Sequence, residues 1–110
     1  MRELIYDKNK LKSFKNFYEK IYLDLEAQKY DYWADYPNLY YSGDGLNEFL
    51  GDFQDDNLLF VMKNFDLDKI KEQKSFENYK WNIIIKVISE FVDKYPNNKI
   101  VFVYDEKIKG

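Results

Sequence analysis

Two uninterrupted apolar runs, Leu58-Leu59-Phe60-Val61-Met62 and Ile100-Val101-Phe102-Val103-Tyr104, constrain this chain more than any other feature. Each has the length of a strand, and each is continuous where a half-exposed strand would alternate polar and apolar residues. Such runs suit strands of a parallel sheet buried on both faces, although the pattern alone also admits a buried helical segment. Between them Trp81, Ile84, Ile85, Ile88, Phe91, Val92 and Tyr95 recur at helical spacing, and Pro96-Asn97-Asn98 stops the pattern. Strand, helix, strand is the order that parallel neighbours require, because their ends can be joined only by a crossover.

The same logic extends toward the N-terminus. Leu4-Ile5-Tyr6 followed by Asp7-Lys8-Asn9 reads as a first strand and a turn. Ser13 is a good N-cap for a helix whose stripe is Phe14, Phe17, Tyr18, Ile21, Tyr22 and Leu25. The polar, aromatic stretch from Ala27 to Ser42, broken by Pro37, is expected to be a long loop with at most a turn of helix. Gly43-Asp44-Gly45 opens a short helix with Leu46, Phe49, Leu50 and Phe53 on one face and Asp44, Glu48 and Asp52 on the other, Asn47 beside them. Residues Asp66 to Lys74 read as a charged connector. The expectation is a two-layer α/β fold, a three-stranded parallel sheet with three to four helices, built from residues 1–110 as one domain; 110 residues leave no room for a second core.

Composition removes much chemistry. The chain has no cysteine and no histidine, so disulfides, thiolate catalysis and the commonest metal ligand and general base are absent. Gly43-Asp44-Gly45 lacks the rest of a phosphate-binding fingerprint, and the acids from Asp52 to Asp56 do not have calcium-loop spacing. No cofactor and no metal are therefore expected. The charged N-terminal stretch has no signal-peptide character and no run is long enough to span a bilayer, so a cytoplasmic protein without membrane contact is expected.

The formal charge of -3 conceals a partition. Residues 1–23 carry six basic and three acidic side chains, residues 24–57 one and nine, and residues 58–110 ten and eight. All of the negative excess lies in the middle, interleaved with Tyr30, Tyr32, Trp33, Tyr36, Tyr40 and Tyr41. Acids at Asp44, Glu48 and Asp52 repel one another by a few tenths of a kcal/mol per pair, so the helix is slightly unfavourable as a purely stabilising design. A charge run is most often a solvated face; the sharper reading is a surface for a basic protein, and it disfavours direct nucleic-acid binding. Any one of the aromatic residues fits core packing and interface contact equally well, while for the cluster the interface reading gains.

The order of elements, the chain length and the local wording together resemble the barstar family of intracellular ribonuclease inhibitors. Leu4 to Leu25 matches that family's opening strand, turn and helix, and Tyr40-Tyr41-Ser42-Gly43-Asp44-Gly45-Leu46-Asn47-Glu48-Phe49-Leu50-Gly51-Asp52 stands where the family has Tyr-Tyr-Gly-x-Asn-Leu-Asp-Ala-Leu-x-Asp. The resemblance implies that loop tyrosines and the following helix plug a nuclease active site, helix carboxylates standing in for substrate phosphates. Tyr40, Tyr41 and Gly43 match the loop if Ser42 is an insertion, the two helix aspartates fall on Asn47 and Gly51, and Glu90 matches a glutamate of the last helix while a second falls on Lys94. The implied contact set is Tyr40, Tyr41, Gly43, Asp44, Asn47, Glu48, Gly51, Asp52 and Glu90, the partner a basic nuclease or toxin domain bound 1:1, and the chain not an enzyme. The alternatives are a binding module of the same fold with a non-nuclease partner, and a glycosidase-like pair at Glu48 and Asp52.

Overall fold

The computed structural model describes residues 1–25 and 41–105. Three strands, β1 (Arg2–Asp7), β2 (Leu58–Lys63) and β3 (Lys99–Val103), form one parallel sheet in the order β1-β2-β3. The register places Ile5 beside Val61 and Val61 beside Val101. Among the described residues four helices accompany them: α1 (Phe14–Asp24), α2 (Gly43–Gly51), α3 (Leu67–Glu72) and α4 (Phe76–Lys94). This is the two-layer α/β arrangement expected from the sequence. The long loop expected over Ala27–Ser42 lies almost wholly outside the described residues.

Each helix begins where a side chain can answer its free N–H groups. In α1, Asn16 Oδ1 accepts from the Ser13 N–H at 3.1 Å, and Glu77 Oε2, from the first turn of α4, accepts from the Phe14 N–H at 3.1 Å. Ser42 Oγ takes the Gly45 N–H at 3.0 Å, and Ser75 Oγ the Asn78 N–H at 3.1 Å. The charged connector contains one more short helix than the sequence reading placed there: Asp66 Oδ1 caps α3 through the Lys69 N–H at 3.2 Å, and Ile70 buries its inner side.

All six residues of the α1 stripe are buried, as are Trp81, Ile84, Ile88, Phe91 and Val92 of α4, with Ile85 and Tyr95 at the margin. They close over Leu4, Tyr6, Leu58, Phe60 and Met62 of the sheet. The expectation of strands buried on both faces is corrected here. Burial alternates along β1 and β2, and on the far face Ile5 is 47% exposed, Val101 39% and Val103 38%. Among the described residues, helices cover one face only.

Two asparagines join the layers. Asn98, the buried polar residue of the core, accepts from the Leu58 N–H at 2.8 Å and donates to the carbonyls of Gln54 at 2.9 Å and Tyr95 at 3.1 Å. Asn64, at φ 64°, donates to Asp7 Oδ1 and Asp105 Oδ2, both at 3.0 Å, and accepts from the Asp105 N–H at 2.9 Å. It thereby ties together the C-terminal ends of all three strands. This amide is the largest influence on the Asp7 carboxyl, which is held below its ordinary pKa.

Candidate partner-binding face

Helix α2 is set against α4 by a missing side chain. A Cβ on Gly43 would stand 2.6 Å from Ile83 Cγ2 and 3.4 Å from Val87 Cγ2, closer than packed carbons tolerate. Glycine here lets the helix backbones approach. Further along the same side, Asn47 and Gly51 meet Glu90, Phe91, Lys94 and Tyr95, so α2 and α4 run in the same direction and enclose a groove of about 200 Å³. Gly51 has negative φ, and a Cβ there would meet nothing within 4 Å. Neither backbone conformation nor close packing requires it to be glycine; its lack of a side chain is what leaves the groove open.

The neighbouring stripe carries Asp44, Glu48 and Asp52, all exposed while Leu46, Phe49, Leu50 and Phe53 are buried beneath them. Among the described residues none of the three is engaged in an ion pair or hydrogen bond, and the same holds for Glu90, Asp55 and Asp56. Several carboxylates elsewhere are occupied: Asp24 with Lys20, Asp66 at a helix cap, Glu77 on the α1 backbone, Asp105 with Lys63 and Asn64. The negative charge of α2 is thus left to solvent or to another molecule.

Tyr41 stands at the entrance to α2, 37% exposed. Its hydroxyl donates to Glu19 Oε1 at 3.2 Å, its ring meets Tyr18 edge-on at 6.0 Å, and Lys15 Nζ lies 5.9 Å from the ring centre. Burial and the adjacent Glu19 raise its pKa. Helix α1 therefore braces this tyrosine with one part outward, the form of a preorganised contact. Tyr40, together with Tyr30, Tyr32, Trp33 and Tyr36, lies outside the described residues.

The structure thus brings Asn47, Gly51 and Glu90 together in one groove and puts Asp44, Glu48 and Asp52 on the stripe beside it, with Gly43 turned inward against α4. It adds Lys94 as a groove residue. Lys94 places a cation one helical turn from Glu90, its Nζ 5.5 Å from the Tyr95 ring centre, so the groove carries both signs and the acidic field comes from the outer stripe. The spacing of Glu90 and Lys94 was visible in the sequence; which side of α2 they face was not.

A larger cleft of about 560 Å³ lies at the C-terminal ends of the strands, between Asn9, Asn64, Asp66, Asp68, Tyr104 and Asp105. Open α/β sheets commonly bind ligands there. Here most of its polar groups are already committed: Asp66 to its cap, Asp105 to Asn64 and Lys63, and the Tyr104 hydroxyl to the Phe65 carbonyl at 2.8 Å. Among the described residues no cluster of three or more acidic side chains has the arrangement to hold a metal ion, and no helix is long and apolar enough to cross a membrane. Comparison of the chain with protein-family models, curated proteins and solved structures finds no match.

Proposed function

We propose that this chain is a cytoplasmic, barstar-like immunity protein, without catalytic turnover of its own, that binds a basic ribonuclease or nuclease toxin 1:1 and occludes its active site. The observation that carries the reading is the exposed stripe of Asp44, Glu48 and Asp52, none of them paired among the described residues, on a helix whose opposite face is buried and whose entrance is marked by the braced Tyr41. A nuclease cleft gathers lysines and arginines to hold phosphates, and a rigid array of carboxylates fits that field, speeds encounter and excludes substrate. Asn47, Gly51 and Glu90 border the same surface and would take contacts from the rim of the cleft. Glu48 and Asp52 are both exposed acids on one helix face, an arrangement any solvated helix offers, which argues against the glycosidase-like alternative.

One observation favours a second reading, a binding module of the same fold with a partner that is not a nuclease. The groove holds Lys94 opposite a glycine and an asparagine, and is not the wholly acidic surface a phosphate mimic would use throughout. Capture with the immobilised protein, identification of the captured chain and an RNA-cleavage assay separate the two. The proposal expects a basic nuclease whose cleavage stops at one equivalent of this protein; a neutral or acidic captured partner supports the module.

A further inference from the structure

The uncovered face of the sheet bears a patterned surface that the α2 reading does not use. Its middle row is Ile5, Val61 and Val101, side by side on the three strands. On the N-terminal side of that row stand Glu3, Leu59 and Lys99, an acid on one edge strand and a base on the other. Among the described residues no helix packs on this face, and a β-branched row with its two outer members exposed and its centre half-buried is what interaction surfaces present.

We propose that this face packs against the same face of a second copy of the chain. Two identical three-stranded sheets can meet about a two-fold axis parallel to the strands or perpendicular to them. With the axis parallel, β1 of one copy lies over β3 of the other: Glu3 meets Lys99 twice, Ile5 meets Val101 twice, and Val61 and Leu59 meet themselves. With the axis perpendicular, Glu3 would meet Asp7 and Leu59 would meet Lys63. Charge therefore selects the parallel axis, with two attractive pairs in place of two repulsive ones. The Lys63 residues then face each other, but each has the Asp105 carboxylate 3.6 Å away, and each Asp7 is already held ionised partly by Lys63.

Three strands spaced about 4.8 Å apart and five residues long give a footprint of roughly 250 Å², against about 800 Å² per partner in a standard stable interface. The dimer is accordingly one that dissociates on dilution. Because the helices lie on the other side of the sheet, each copy keeps its α2 face free.

Sedimentation of the full chain between about 10 µM and about 1 mM tests this. The expected result is a weight-average mass that rises toward twice that of the chain, with Val61→Lys abolishing the rise. Glu3→Lys or Lys99→Glu alone should weaken association about tenfold, and the two together should restore it to within about twofold. Glu48→Lys should leave it unchanged, and circular dichroism would confirm folding of each variant. A monomer at every concentration, a dimer indifferent to Val61→Lys, a dimer lost in Glu48→Lys, or a double reversal without recovery would each overturn the proposal.

Discussion

Gly43 and Gly51 of α2 make opposite predictions for one chemical change. Replacing a helical glycine by alanine stabilises by about 0.5–1 kcal/mol where the added methyl meets no obstacle, chiefly by restricting the unfolded chain. Gly51→Ala should show that gain, because its Cβ would find nothing within 4 Å. At Gly43 the same methyl would sit 2.6 Å from Ile83 Cγ2, about 1 Å inside normal carbon contact, and overpacking of this kind costs about 1–3 kcal/mol. The two variants should therefore differ by about 1.5–4 kcal/mol, or roughly 6–16 °C in Tm for a chain this size. Urea titrations read the difference as a shift in midpoint at constant slope. Ile83→Ala removes the obstructing methyl, so in that background Gly43→Ala should lose most of its penalty. The packing argument fails if Gly43→Ala is as stable as Gly51→Ala, or if its cost survives in Ile83→Ala.

Other consequences are open to direct measurement. Asn98→Ala should destabilise by about 2–3 kcal/mol, because it strands the buried Leu58 N–H and takes one donor from each of the Gln54 and Tyr95 carbonyls, which keep the Asn97 side chain and the residue 98 N–H; amide exchange at Leu58 should accelerate. Burial pushes the Tyr18 hydroxyl up to about 12, above its ordinary value of 10.0, and among the described residues that hydroxyl has no hydrogen-bond partner. Its raised folded pKa makes stability complete below the unfolded value and lost as pH rises toward the folded one, so Tyr18→Phe should flatten alkaline unfolding without loss at neutral pH. Asp7 has the opposite sign: its lowered folded pKa contributes above the unfolded value and is lost as pH falls through the folded one. Asn64→Gly keeps the positive φ and removes the amide, so its deficit relative to wild type should be largest above about pH 4 and shrink in acid as Asp7 is protonated.

The contrast between what could and could not be read from the chain has physical causes. The stripes of α1 and α4 were legible because a single buried side imposes helical period on the sequence, and the strands because apolar runs of that length have few alternatives. Helix α3 was not, since it is one short turn-and-a-half in which Leu67 and Ile70 are the apolar residues, too few to mark a period. Coverage of the sheet was misread because Val61, Val101 and Val103 favour strands whether or not anything lies over them. In the sequence Asn98 marks only the stop after α4, and nothing distinguishes Asn64; their roles arise from partners as far as 57 residues away in sequence, at Asp7 for Asn64, which local pattern does not encode. At the α2 surface, the outer acidic stripe followed from spacing alone. The groove with Lys94 did not, because the rotation of α2 against α4 is decided by the close approach of Gly43 to Ile83.

The central claim is that the free carboxylates of α2 drive partner binding, and association kinetics test it most directly. The captured partner would be titrated against wild type and against Asp44→Ala/Glu48→Ala/Asp52→Ala at several salt concentrations. Exposed opposite charges steer encounter and are screened over about 8–10 Å at moderate ionic strength. The account predicts fast, strongly salt-dependent association for wild type, and for the triple variant slower association, a shallower salt dependence and weaker affinity, with the fold unchanged. An affinity and a salt dependence indistinguishable from wild type would contradict it and move the binding surface away from α2.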